Sequence, residues 1–279
     1  MTALPSDNPG RDWHHRRVNS DHHLHVHRYG PHGPIRLLAV HGLTGHGGRW
    51  RDLAGHLPEI SLAAPDLIGH GYSSWAAPWT IDANVAALAA LLERSADGPV
   101  TVVGHSFGGA VALHLAAARP DLVDALVLLD PAIGLDGEWM AEIAAAMLAS
   151  PDYPDPAEAR AEKENGAWSD VDPALLDTEL DEHLVALPDG RFGWRISVPA
   201  MMSYWSELAR QAVLPGATPT TLVRATRTSP PYVGDALIGA LRERLGTNLH
   251  LVDLDCNHMV GHARPAEVAA AIRAQLARS

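Results

Sequence analysis

The sequence predicts an α/β protein: a mostly parallel sheet flanked by helices, with a helical cap inserted in it. Three observations carry this prediction. Short apolar runs alternate with longer runs of helical period, most of the short runs are apolar on both faces, and the alternation stops over one acid-rich stretch before resuming. Strands buried on both faces need helices on both sides, and helices between strands allow parallel pairing.

The elements follow in chain order. "HHLHVHRYG" alternates polar with apolar and reads as an antiparallel edge strand. Ile35 to Val40, Ser61 to Pro65, Pro99 to Val103, Ala125 to Leu129, Thr220 to Arg224 and Asn248 to Leu254 read as the remaining strands. Ile81 to Glu93, Phe107 to Ala118, Ala236 to Leu245 and Ala266 to Leu276 read as helices, the last with Pro265 placed at a first turn. Core residues 1–131 and 213–279 thus enclose a cap of residues 132–212. From Asp136 to Glu182 the cap carries fourteen acids against Arg160 and Lys163, the pattern of a solvated helical excursion. It also holds Trp139, Met140, Met147, Tyr153, Trp168, Trp194, Met201, Met202, Tyr204 and Trp205. Such residues most often form core, yet an insertion between parallel strands can roof an apolar cleft.

Charge and composition narrow the function. A net charge of -12 repels polyanions, so nucleic acid and anionic membranes are poor partners, and a neutral or cationic small substrate fits better. Cys256 is the only cysteine, which excludes an internal disulfide. The opening "MTALPSDNPGRDWHHRR" has no apolar core of a leader, and "ANVAALAALLE" is too short to span a bilayer. The chain therefore reads as cytoplasmic, with no stable membrane insertion. Basic residues are almost all arginine, with Lys163 the single lysine.

The chemistry begins at "TVVGHSFGGA". Gly104, Ser106 and Gly108 form G-x-S-x-G between a strand and a helix, where glycines permit the sharp turn that exposes a serine at the strand's carboxyl end. No phosphate-cradling pattern is present. In "LLAVHGLTGHGGRW" the loop after His41-Gly42 reaches the same edge, so the backbone N–H groups of Leu43 and Phe107 can form an oxyanion hole. His41 is then a turn residue, and Asp66 and His70 in "PDLIGHGYSS" hold a loop. Among seventeen histidines, His258 follows the last strand and completes the order serine, acid, histidine, with His262 as its rival. His22, His23, His25 and His27 suggest a metal, but no cysteine or acid stands at ligand spacing, so no metal or other cofactor is expected. Cys256 reads as a packed thiol.

His41-Gly42, the D-x-x-G-x-G-x-S run of Asp66 to Ser73, G-H-S-F-G-G at Gly104 to Gly109, and N-H-M around His258 together resemble the α/β-hydrolase superfamily. The likeness runs from about Asp21 to the C-terminus. "IDANVAALAALL", "LASPDYPDPAEARAEK" and "GWRISVPAM" are similar to a mycobacterial lipase/esterase series. The resemblance implies carboxylic ester hydrolysis by a serine triad under a helical cap, acting on a small apolar ester. Ser106 disfavours the dehalogenases and epoxide hydrolases, which carry aspartate there. Carbon-carbon bond hydrolases, whose elbow typically reads G-N-S-M-G-G, remain an alternative, as does a non-catalytic ligand receptor. Most members carry the acid after the strand that here is "TTLVRA", and the first acid beyond it is Asp235, poised to cap a helix. Some, the pancreatic-type lipases among them, place it one strand earlier, where "ALVLLDPAIG" offers Asp130. Asp130 is the preferred orienting acid and Asp235 the alternative.

Overall fold

The computed structural model describes residues 22–278, so the leader reading of the first residues lies outside the described part. In chain order the elements are β1 Val26–Tyr29, β2 Leu37–Val40, a 3-10 turn at Gly47–Trp50, α1 Arg51–Gly55 and β3 Leu62–Pro65. There follow α2 Ile81–Ser95, β4 Val100–His105, α3 Phe107–Ala118 and β5 Val123–Leu129. The insertion supplies α4 Gly137–Ala149, α5 Pro156–Glu164, α6 Pro173–His183, β6 Leu184–Ala186, β7 Phe192–Trp194 and α7 Val198–Leu208. The chain closes with β8 Thr220–Ala225, α8 Asp235–Leu245, β9 Leu249–Leu254, α9 Val260–Ala263 and α10 Pro265–Leu276.

Seven strands form one sheet in the order β1-β3-β2-β4-β5-β8-β9. Only β1 runs antiparallel, pairing with β3 through Val26 opposite Pro65 and Tyr29 opposite Leu62, as its alternation suggests. The strands β2 to β5 are buried on both faces because helices cover both. One apolar layer joins Leu38, Val102 and Leu126 to Leu88 of α2, Val111 of α3 and Leu241 of α8. The other joins Leu37, Val103 and Val127 to Leu53 of α1 and Val268 and Ile272 of α10. The predicted strands and helices of this core are all present, with small shifts at their ends.

Between β5 and β8 the chain leaves the carboxyl edge of the sheet. Each helix there starts on a side chain that accepts an exposed backbone N–H. Asp136 caps Trp139, Asp155 caps Ala157 and Glu158, Asp172 caps Ala174, and Ser197 caps Ala200. Pro156 and Pro173 then set the first turns, so part of the acid excess is helix punctuation. The hairpin β6–β7 pairs Leu184 with Trp194. The sequence reading finds no strand there, because three residues a side are too few for a periodic signal.

Helix α7 docks this excursion on the core. Tyr204 is fully buried against Phe107, with ring centroids 4.6 Å apart. Its hydroxyl donates to the Ile68 carbonyl (2.9 Å) and accepts from Asn84 Nδ2 (2.8 Å). Glu207 accepts the Ile81 N–H at the start of α2. Of the aromatic and methionine side chains of the insertion, Met140, Tyr153, Trp168, Met201 and Tyr204 are buried, and Trp168 also lines a cavity together with Trp205.

Candidate active site

Ser106 sits in the turn between β4 and α3 at φ 54 and ψ -120. This is a left-handed conformation that a non-glycine residue holds only when its surroundings impose it. The glycines on either side supply the room. A Cβ on Gly104 would stand 2.3 Å from the Gly108 carbonyl oxygen, and one on Gly108 would stand 2.2 Å from that of Val40. Backbone bonds then lock the turn: Ser106 N–H donates to Leu129 O (3.0 Å), and Ser106 O accepts from Gly109 (2.8 Å) and Ala132 (3.1 Å).

Asp130 directly follows β5, also at positive φ (42). Its N–H donates to Val223 O at 2.7 Å and its Oδ1 accepts the Ala225 N–H at 3.2 Å, so the end of β8 clamps the carboxylate. His258 Nδ1–H donates to Asp130 Oδ2 at 2.6 Å, which leaves Nε2 as the acceptor nitrogen. The Tyr232 ring stacks on the imidazole at 4.1 Å, and His105 Nε2–H donates to the His258 carbonyl at 2.8 Å. Burial, reinforced by the neighbouring His258, holds His105 well below its ordinary pKa, so it remains a neutral tether.

Ser106 and His258 line one cavity of about 300 Å³ together with Leu43, Trp168, Trp205, Leu208 and Tyr232. Among the described residues no hydrogen bond joins the Ser106 hydroxyl to His258. The backbone N–H groups of Leu43 and Phe107 have no acceptor among the described residues either.

The other candidates fall elsewhere. Asp235 is exposed and is the first residue of α8; Gly234 occupies the cap position and no side chain caps the helix. The capping reading of Asp235 is thus corrected: its carboxylate lies one residue inside the helix, in the first turn that favours an acid by charge. His262 lines adjoining cavities against Trp168, and burial pushes its pKa down to about 3. His41 is buried as a turn residue, its Nδ1–H donating to Gly42 O (2.8 Å) and its Nε2 accepting the Leu67 N–H (2.9 Å). His70 is buried and bonded to Ile68 O. Asp66 accepts the N–H groups of Gly47 (2.7 Å) and Tyr72 (2.9 Å). Burial alone would raise its pKa; the His27 contact and these two bonds lower it instead. Cys256 is buried, its thiol pushed up to about 11 by burial.

Two groups of possible metal ligands form. His25 and His27 approach Asp66, an acid that β1–β3 pairing brings in from the neighbouring strand, so sequence spacing conceals it. His46, Glu179 and His183 form a buried second group. There Arg49 donates to both Glu179 oxygens (2.5 and 3.1 Å) and Lys163 Nζ lies 3.9 Å away, a charge balance that opposes a further cation. Sequence reasoning misses this cluster, because Glu179 sits among solvated acids and its partner Arg49 is 130 residues distant.

The model of the alpha/beta hydrolase family matches residues 37–271. Lipase LipV of Mycobacterium tuberculosis (strain ATCC 25618 / H37Rv) is 70% identical over 254 residues, covering 91% of this chain and 97% of that protein. Among solved structures, E-2-(acetamidomethylene)succinate hydrolase superposes with a TM-score of 0.78 at 23% identity, covering 94% of this chain and 98% of that one. A marine microorganism esterase superposes with a TM-score of 0.70 at 22% identity, covering 90% and 98%. The two structures share the architecture; the family match and the identity to the lipase carry the assignment, and the chain belongs to the alpha/beta hydrolase family.

Proposed function

We propose that the protein is a serine hydrolase of carboxylic esters, with Ser106 as nucleophile, His258 as general base and acid, and Asp130 as the orienting carboxylate. The supporting observation is the 2.6 Å bond from His258 Nδ1 to Asp130, in a cavity that also holds a serine on a strained elbow. Substrate binding brings the acyl carbonyl against Ser106. His258 Nε2 takes the hydroxyl proton as Oγ attacks, and Asp130 stabilises the imidazolium. The Leu43 and Phe107 N–H groups donate to the developing oxyanion, each such donor contributing on the order of 10²- to 10³-fold in rate. Collapse expels the alcohol, which receives the proton from His258, and water then repeats the sequence on the acyl-enzyme. Residues 132–212 act as the cap that keeps water from the acyl pocket. The 70% identity to a lipase supports an ester as the substrate class.

A fluorophosphonate probe should label the protein once, on Ser106, and p-nitrophenyl esters should be turned over. Ser106→Ala should abolish both. Labelling that persists in Ser106→Ala, or esterolysis unaffected by it, would refute the assignment.

A further inference from the structure

Lys163, the one lysine of the chain, lies in the wall of the cavity that holds Ser106 and His258. It occupies the last turn of α5. Its side chain is only 10% exposed, with Nζ 4.1 Å from the ring centroid of Trp194 and 5.0 Å from that of Trp168. Indole faces attract an ammonium but offer its three N–H groups no oxygen acceptor. Among the described residues Nζ has no hydrogen-bond acceptor. Glu179 Oε1 stands at 3.9 Å, and both Glu179 oxygens already accept shorter bonds from Arg49 and His46. Glu162 also lines the cavity; it is exposed, its charge favours the ammonium, and it makes no hydrogen bond to Nζ. Two cations, Arg49 and Lys163, therefore share one buried carboxylate beside the acyl pocket.

We propose that Lys163 determines specificity by binding a free carboxylate on the substrate, so that the preferred substrates are monoesters of dicarboxylic acids with the second carboxylate at the far end of the acyl chain. The inference rests on the ester-hydrolase reading of Ser106. Trp168, Trp205 and Leu208 in the same wall offer apolar cover to the methylenes between the two ends. Burial, and then the charge of Arg49, lower Lys163 to about 8, which still leaves it mostly protonated at neutral pH. An uncharged ester of equal length leaves the ammonium without its acceptor, and a site built around a polar contact rejects ligands that lack it. The attraction is local, since the net charge of -12 repels anions at a distance.

The test pairs mono-p-nitrophenyl adipate, pimelate and suberate with p-nitrophenyl hexanoate, heptanoate and octanoate. For at least one length, kcat/KM for the acid monoester should exceed that of its uncharged partner by about tenfold or more. Lys163→Met should collapse that ratio by about the same factor, and Lys163→Arg should largely retain it. Calorimetry of wild-type protein with the free diacids and the matching monoacids reads the carboxylate site without turnover, and the diacid should bind more tightly. Preference for the uncharged ester at every length, or a ratio unmoved by Lys163→Met, overturns the proposal. Equal binding of diacid and monoacid overturns it as well. Diacid preference in calorimetry with no ester turned over would instead refute the ester-hydrolase reading and leave the carboxylate site standing. Should Lys163→Met fail to fold, the wild-type ratio and the Lys163→Arg ratio still decide.

Discussion

At the residue scale, the choice between Asp130 and Asp235 shows how far spacing carries an argument. Both are aspartates near the carboxyl edge in a plausible chain order, but only Asp130 meets His258. The end of β8 also takes part, because the Ala225 N–H grips the Asp130 carboxylate. Asp130→Asn keeps the shape and, on the proposed mechanism, removes the charge that would stabilise an imidazolium. It should lower kcat by on the order of 10³- to 10⁴-fold with little change in KM, whereas Asp235→Asn should leave kcat near wild type. Steady-state kinetics on a p-nitrophenyl ester decide, and equal losses in both variants would count against Asp130. Ser106 and His258 were legible because each sits in a local pattern of strand, turn and helix. Arg49, Glu179, Tyr232 and Lys163 were not, since their partners come together only through tertiary contacts. Lys163 in the sequence alone is merely a rare residue type.

At the scale of elements, the strands and helices of the sheet were readable because burial on two faces leaves unbroken apolar runs. The hairpin β6–β7 was not, its strands being too short. The acidic run was legible as helical but misleading about Glu179, which α6 turns inward onto Arg49 and His46. Burial would raise the Glu179 carboxyl, yet Arg49 and His46 hold it well below its ordinary value. The folded state thus releases this proton more readily than the unfolded chain. The resulting stability is complete above the ordinary carboxyl range and is lost as pH falls through it toward the depressed folded value. Glu179→Gln leaves Arg49 and Lys163 buried against a neutral partner and should cost about 3–5 kcal/mol. Thermal melts between about pH 6 and pH 3 should show a shallower decline in the variant than in wild type. A parallel decline would mean that the ion pair contributes nothing to acid sensitivity.

At the scale of the whole molecule, the class of fold was legible but the strand order was not, because pairing partners are set by packing and not by sequence proximity. The cavity that holds Ser106 and His258 measures about 300 Å³, and on the proposed function it is what an acyl group must fit. Soluble esters of short to medium acyl length should therefore be hydrolysed faster than long-chain triglyceride emulsions. A rate that climbs steadily with chain length and jumps at an oil-water interface would contradict this. Net charge follows from many residues, but primary amines do not. Acylating or reductive-methylating reagents find a single lysine, and it lines the cavity that holds Ser106 and His258. With burial and Arg49 bringing that amine down to about 8, more of it is free base at mild pH than of an ordinary lysine. A small amine reagent should modify Lys163, a ligand filling the cavity should protect it, and peptide mapping should find no other acylated side-chain amine. The chain thus arrives with a single side-chain amine, set in the wall of its cavity, as a handle for a reporter dye or an isotope label, with an α-amino group as its competitor for the reagent.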